Sequence, residues 1–134
     1  MRKLNTVCLT LALFCTIGNA AKKVAMTATP IVPAAKGEVA IAKDRNGNVR
    51  VTIKVEHLAN PENLTPAAAV YVVWLQDKAG IAENKGQLKV NKKLAASLKT
   101  VTPSKSFDLF VTAERDYGVK SPTGPEVLRA TIQP

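Results

Sequence analysis

Cysteine, histidine and aromatic residues are all scarce in this chain of 134 residues. The two cysteines, Cys8 and Cys15, both fall in the first fifteen positions, and His57 is the single histidine. Aromatic residues amount to 4%, six in all. So thin an aromatic set supplies no evident stacking platform for nucleic acid. Acidic residues number 10 against 19 Lys and Arg, a formal charge of +9. The longest apolar stretch, Val7 to Ile17, is about eleven residues, against the roughly 20 that a membrane-spanning helix needs. Hydrophobic residues at 46% and charged residues at 22% exclude both a disordered tail and a membrane bundle. The length suits one compact domain.

The first twenty residues read as an export signal. Met1-Arg2-Lys3 is a basic start, Val7–Ile17 is the apolar stretch, and Gly18-Asn19-Ala20 places small residues for a cut after Ala20. A retained anchor, leaving the chain membrane-bound, is the reading if that cut is not made. Cys15 invites a lipoprotein reading, but Leu13 and Phe14 are bulkier than the residues expected before a lipidated cysteine. Removal of residues 1–20 takes away Arg2, Lys3 and both cysteines. It leaves 17 basic against 10 acidic residues, a formal +7, on a chain without thiols. Such a chain forms no disulfide and no Cys-ligated metal site, so it must fold by burial alone. The expected location is the periplasm or the exterior, with no integral membrane span after processing.

Residues 21–36, with two prolines and no usable periodicity, read as a flexible spacer, and the folded domain as residues 37–134. Val49-Arg50-Val51-Thr52-Ile53-Lys54-Val55-Glu56 alternates apolar and polar without a break, the pattern of a strand with one buried and one wet face. Asn46-Gly47 invites a two-residue turn before it. That register would turn Val39 and Ile41 to the polar side, so burial favours a five-residue loop over 44–48 instead. Lys43 then faces Val49, Ile41 faces Val51 and Val39 faces Ile53. Ala69–Gln76 is apolar at both parities and reads as a central strand with little water on either face, or as one covered partly by a loop. Lys85–Val90 and Leu94–Leu98 read as a hairpin around Lys92. Its inward set is Gly86, Leu88, Val90, Leu94, Ala96 and Leu98, with Lys85 opposite Lys99. Phe107–Glu114 and Val127–Ile132 complete about seven strands and no helix: an all-β, immunoglobulin-like sandwich of antiparallel strands. Tyr71, Trp74, Phe107 and Phe110 are expected to fill its core, an aromatic sugar-binding platform being the alternative.

Little in this inventory supports catalysis. His57 has no evident partner for general-base work, and no serine lies in a Gly-x-Ser-x-Gly elbow. Asp44-Arg45-Asn46-Gly47-Asn48 carries oxygen ligands and a glycine, but lacks the terminal Glu of a twelve-residue calcium loop. No catalytic residue, metal ligand or cofactor is expected. Asn63-Leu64-Thr65 matches a glycosylation sequon, which matters only in a host that modifies such sites. The tract between Glu83 and Asp108 is more informative: it holds no acid and six lysines, Lys85, Lys89, Lys92, Lys93, Lys99 and Lys105. Lys85, Lys89, Lys93 and Lys99 are the candidate contacts for a polyanion such as envelope phosphate or an acidic polysaccharide. The alternative is a solvated edge that lysines protect against strand-to-strand association.

Three stretches together resemble the extracytoplasmic C-terminal domain of anti-sigma-K factors. They are Tyr71-Val72-Val73-Trp74-Leu75, Phe110-Val111-Thr112-Ala113-Glu114 and Pro122-Thr123-Gly124-Pro125-Glu126-Val127-Leu128, spread over about residues 69–132. The resemblance implies a β-sandwich outside the cytoplasmic membrane and a sensing or docking role in the envelope. Only Met1 to Thr6 precede the apolar stretch, and Arg115 stands where the family often has Pro, so sigma-factor binding is not carried over. The expected activity is non-enzymatic binding, either as a sensor-type module with an envelope protein as partner, or as an envelope-structural protein meeting anionic polymers through a Lys-rich sheet face.

Overall fold

A computed structural model describes residues 21–134, so the export signal and the cut after Ala20 lie outside the described residues. Nine strands form two antiparallel sheets: β1 (Lys22–Ala25), β2 (Thr27–Ala28), β3 (Lys36–Lys43), β4 (Val49–Glu56), β5 (Val70–Gln76), β6 (Ala82–Leu88), β7 (Ala96–Thr102), β8 (Phe107–Glu114) and β9 (Glu126–Ile132). The first sheet runs β1-β3-β4-β7 and the second β2-β9-β8-β5-β6. Among the described residues no helix is long and apolar enough to cross a membrane.

The β3–β4 hairpin has the register that burial demands, with Lys43 opposite Val49, Ile41 opposite Val51 and Val39 opposite Ile53. Val49, Val51, Ile53 and Val55 are all buried, while Arg50, Lys54 and Glu56 are exposed. The loop is held by Asp44, whose Oδ1 accepts from the backbone N–H of Asn46 at 2.8 Å and of Asn48 at 2.9 Å. Gly47 takes φ +79°, where a side chain would be strained. The oxygen-rich loop thus spends its first carboxylate on its own backbone, as turn residues do.

Residues 21–36 are not a spacer. β1 pairs with β3 and β2 with β9, so one short segment adds an edge to each sheet, and Met26 between them is buried. Val32 and Ala35 are buried as well. The sandwich therefore begins at Lys22 and has nine strands rather than seven, because a pairing of two to four residues leaves no periodicity to read.

The Lys85–Leu98 hairpin does not form either. β6 belongs to the second sheet and β7 to the first, and residues 89–95 cross between them. β6 is instead bulged against β5: Val73 faces Gly86 and Trp74 faces Asn84, leaving Lys85 as the extra residue and Gly86 at φ +128°. Lys99 lies opposite Thr52, not Lys85. Leu94 points out of the core, 38% exposed with φ +59°, in a loop whose Asn91 Oδ1 accepts from the N–H groups of Lys93 and Ala95. The same side-chain-to-backbone device that shapes loop 44–48 here outweighs the apolar preference of one leucine.

Tyr71, Val73, Leu75, Phe107, Leu109 and Val111 fill the space between the sheets with β4 and β9. The Tyr71 hydroxyl donates to the Ala59 carbonyl at 2.7 Å, which ties the long 57–69 connection to the core. Burial pushes that hydroxyl up from 10.0 to about 12. The fold holds the neutral phenol, so this contribution is complete below pH 10 and is lost as the pH climbs from about 10 toward 12, where only the unfolded chain readily ionises. Tyr71→Phe should lose about 1 kcal/mol at neutral pH through the orphaned carbonyl. It should also decline less than the parent between pH 9 and 11.5. Urea denaturation of both proteins across that range checks this, and parallel decline would exclude Tyr71 as the source.

Candidate functional site

The outer faces of the two sheets differ in kind. On the second sheet, Val72, Trp74 and Phe110 point away from the interior and form their own buried cluster, with Val70, Ala82 and Val119 against it. Trp74 is 0% exposed, and its Nε1 donates to the Thr112 hydroxyl at 2.8 Å. Its ring stacks on Phe110 at 6.5 Å, and the Arg129 guanidinium lies 4.5 Å above Phe110, bonded to Asp108 at 2.9 Å and to Glu126. Trp74 and Phe110 therefore sit outside the inter-sheet core in which Tyr71 and Phe107 lie. A tryptophan with no accessible surface is no sugar platform. Of the two readings of β5, cover by a loop is the one that this face matches.

The cover is the loop between β8 and β9. Glu114, at the end of β8, is 1% exposed, and its carboxylate accepts from Thr123 N at 2.6 Å, Thr123 Oγ1 at 3.0 Å and Gly124 N at 2.7 Å. Asn84 Nδ2 on β6 donates to the carbonyls of Tyr117 and Val119, both at 2.8 Å. The loop is thus pinned at its middle and at its end. Gly124 is there for space rather than for left-handed backbone: a Cβ on it would stand 1.7 Å from the Ala113 carbonyl oxygen. Among the described residues the glycines with positive φ are Gly47, Gly80 and Gly86.

The outer face of the first sheet is wet and basic. Strand alternation turns Lys23 of β1, Lys36, Glu38, Ala40 and Ala42 of β3, Arg50, Thr52, Lys54 and Glu56 of β4, and Ser97, Lys99 and Val101 of β7 to this side. Five cations (Lys23, Lys36, Arg50, Lys54, Lys99) thus stand against two carboxylates, and all seven side chains belong to exposed residues. One row across the sheet reads Lys23, Ala40, Thr52, Lys99, so small residues lie between two lysines about 14 Å apart at the backbone, three strand spacings. Glu38 pairs with Lys23 at 3.6 Å and lies opposite Lys54 in register, while Arg50 faces Ala42 and Val101. Ion pairs this exposed are weakly held and exchange partners readily.

Of the four lysines expected to meet a polyanion, only Lys99 lies on this face. Lys85 is folded against the protein, its side chain 11% exposed and paired with Glu83 at 3.2 Å. Lys89 and Lys93 are exposed in the crossover that leads into β7. The tract is therefore not one patch, because a bulge and a sheet change separate its members. The residues that the sequence reading passed over, Lys23, Lys36, Arg50 and Lys54, come from three strands joined only by pairing. The even positions of β4 carried the signal, whereas Lys23 and Lys36 lay in the supposed spacer. His57 follows β4 as an exposed residue with φ +58°. Among the described residues no group of three or more His, Cys, Asp or Glu is placed to hold a metal ion. No protein-family model matches the chain, and a search of curated proteins finds no match.

Proposed function

We propose that this chain is an exported, non-enzymatic binding module of the cell envelope that contacts anionic polymers through the outer face of its first sheet. The observation that carries the reading is the placement of five exposed cations against two carboxylates on the outer face of one four-stranded sheet. The opposite face is closed by a pinned loop and has no comparable cation set. A basic sheet face with small residues between its lysines suits a long, repetitive anion better than a small ligand, which needs a concave pocket with converging polar groups. Export rests on the basic, apolar and small-residue order of residues 1–20, and the location follows as periplasmic or secreted.

A sensor-type role is the second reading, and it rests on the resemblance to the extracytoplasmic domain of anti-sigma-K factors. What supports it is that two of the stretches carrying the resemblance bond each other, Glu114 accepting from Thr123 and Gly124. In this reading the partner is an envelope protein and the anti-sigma segment plays no part.

The polymer reading is tested with long-chain polyphosphate, whose affinity should fall linearly on a log–log plot against salt. Neutralising three phosphates corresponds to a loss of about 40-fold between about 50 and about 200 mM salt. The variant Lys54→Gln/Lys99→Gln should flatten that slope by about two, one for each cation removed, without changing the melting temperature. Salt-independent association, or a slope unchanged in the variant, would overturn the reading.

A further inference from the structure

Four strands lie at the sheet edges, and three of them are short or broken. β1 spans four residues and passes through Met26 directly into β2, which spans two. β6 carries the bulge at Lys85 and Gly86. β7 differs. Its seven residues pair with β4 in unbroken register, and among the described residues none of its backbone groups bonds to any other segment. Alternate N–H and C=O groups of Ala96–Thr102 therefore face outward, a ready template for another strand. Val101 beside them is 47% exposed.

The charge around this edge says what fits. Lys92 and Lys93 precede β7, Lys99 is at its centre and Lys105 follows it, all exposed, with no carboxylate between Glu83 and Asp108. A second copy added antiparallel about the centre of β7 would put Lys99 opposite Lys99 and bring Lys93 toward Lys105. Like charges directly opposite are unfavourable in a sheet, so the edge rejects its own copy. An extended segment with alternating carboxylates meets no such repulsion. We propose that β7 accepts an extended, acidic strand of a partner protein, with main-chain hydrogen bonds holding the segment and the lysines selecting its charge. This edge site shares Lys99 with the polymer reading, but it rests on the main-chain ladder of β7, which that reading does not use.

A ten-residue peptide alternating Glu and Val tests the proposal against the same peptide N-methylated at every second residue. Charge is equal in the two, but the second cannot complete a ladder. Amide exchange in Ala96–Thr102 should slow at least about tenfold with the first peptide alone, which should also bind at least about tenfold tighter, as a few net hydrogen bonds require. Lys99→Glu should weaken it further. Equal binding of both peptides without protection of β7 would show contact by charge alone and overturn the edge site. Protection of β7 that rises with protein concentration, without peptide, would overturn the choice of occupant in favour of a second copy. Polyphosphate binding does not bear on either result, so the two readings fail separately.

Discussion

Gly124→Ala should cost about 3–5 kcal/mol of folding stability, as the loss of two or three hydrogen bonds to a buried carboxylate predicts. The added methyl would meet the Ala113 carbonyl oxygen at 1.7 Å and its carbon at 2.8 Å. Both are backbone atoms of a central strand, so the strand has nowhere to go and the loop must lift instead. Lifting it strips Thr123 N, Thr123 Oγ1 and Gly124 N from Glu114, which is then buried without its partners. It also strains the bond from Ala113 N to the Pro125 carbonyl, 3.0 Å long. Gly118→Ala is the control in the same loop: its methyl would meet only the Asp116 carboxylate at 3.8 Å, and the change should stay within about 0.5 kcal/mol. Chemical denaturation of the two variants beside the parent decides the matter. Equal stability of all three would mean that the loop is not seated on β8 as described.

Trp74→Ala should be of similar size, about 3–5 kcal/mol, with a fall in Tm of at least about 10 °C. The indole is fully buried, stacks on Phe110 and satisfies the hydroxyl of Thr112, itself 2% exposed. Removing it opens a void beneath the loop and orphans a buried hydroxyl, and both effects act in one direction. Trp74→Phe should retain part of the packing and lose the hydrogen bond, falling between parent and alanine variant. If Trp74 stood on the surface, alanine would be nearly neutral, so thermal unfolding of the three proteins separates the cases.

What was legible in the chain follows the physics of each segment. The β3–β4 register could be read because eight residues alternate without exception, and slipping them by one would expose a whole apolar row. The all-β, two-sheet architecture could be read because every apolar segment is short and bounded by turn residues. The β6–β7 connection could not, since the bulge at Gly86 exists only in the pairing with β5, and the Asn91 turn that makes Leu94 left-handed runs against the apolar pattern. β1 and β2 could not, since their strand character comes from β3 and β9 and not from their own side chains. Glu114 looked like any strand carboxylate. Its signal was the company it keeps, with Phe110, Thr112 and Glu114 on one face and Trp74 and Val72 on the matching face of β5, a polar end on an otherwise buried stripe. The basic face was half legible: Arg50 and Lys54 were in plain sight, while Lys23 and Lys36 joined them only through pairing.

The most direct test of the account maps polyphosphate onto the protein by backbone amide chemical shifts at low salt. The polymer reading expects the shifts to concentrate in β1, β3, β4 and β7, around Lys23, Lys36, Arg50, Lys54 and Lys99, with the β8–β9 loop unmoved. Shifts gathered instead at the crossover lysines Lys89, Lys92 and Lys93 or on the second sheet, or no shifts at all, would contradict it.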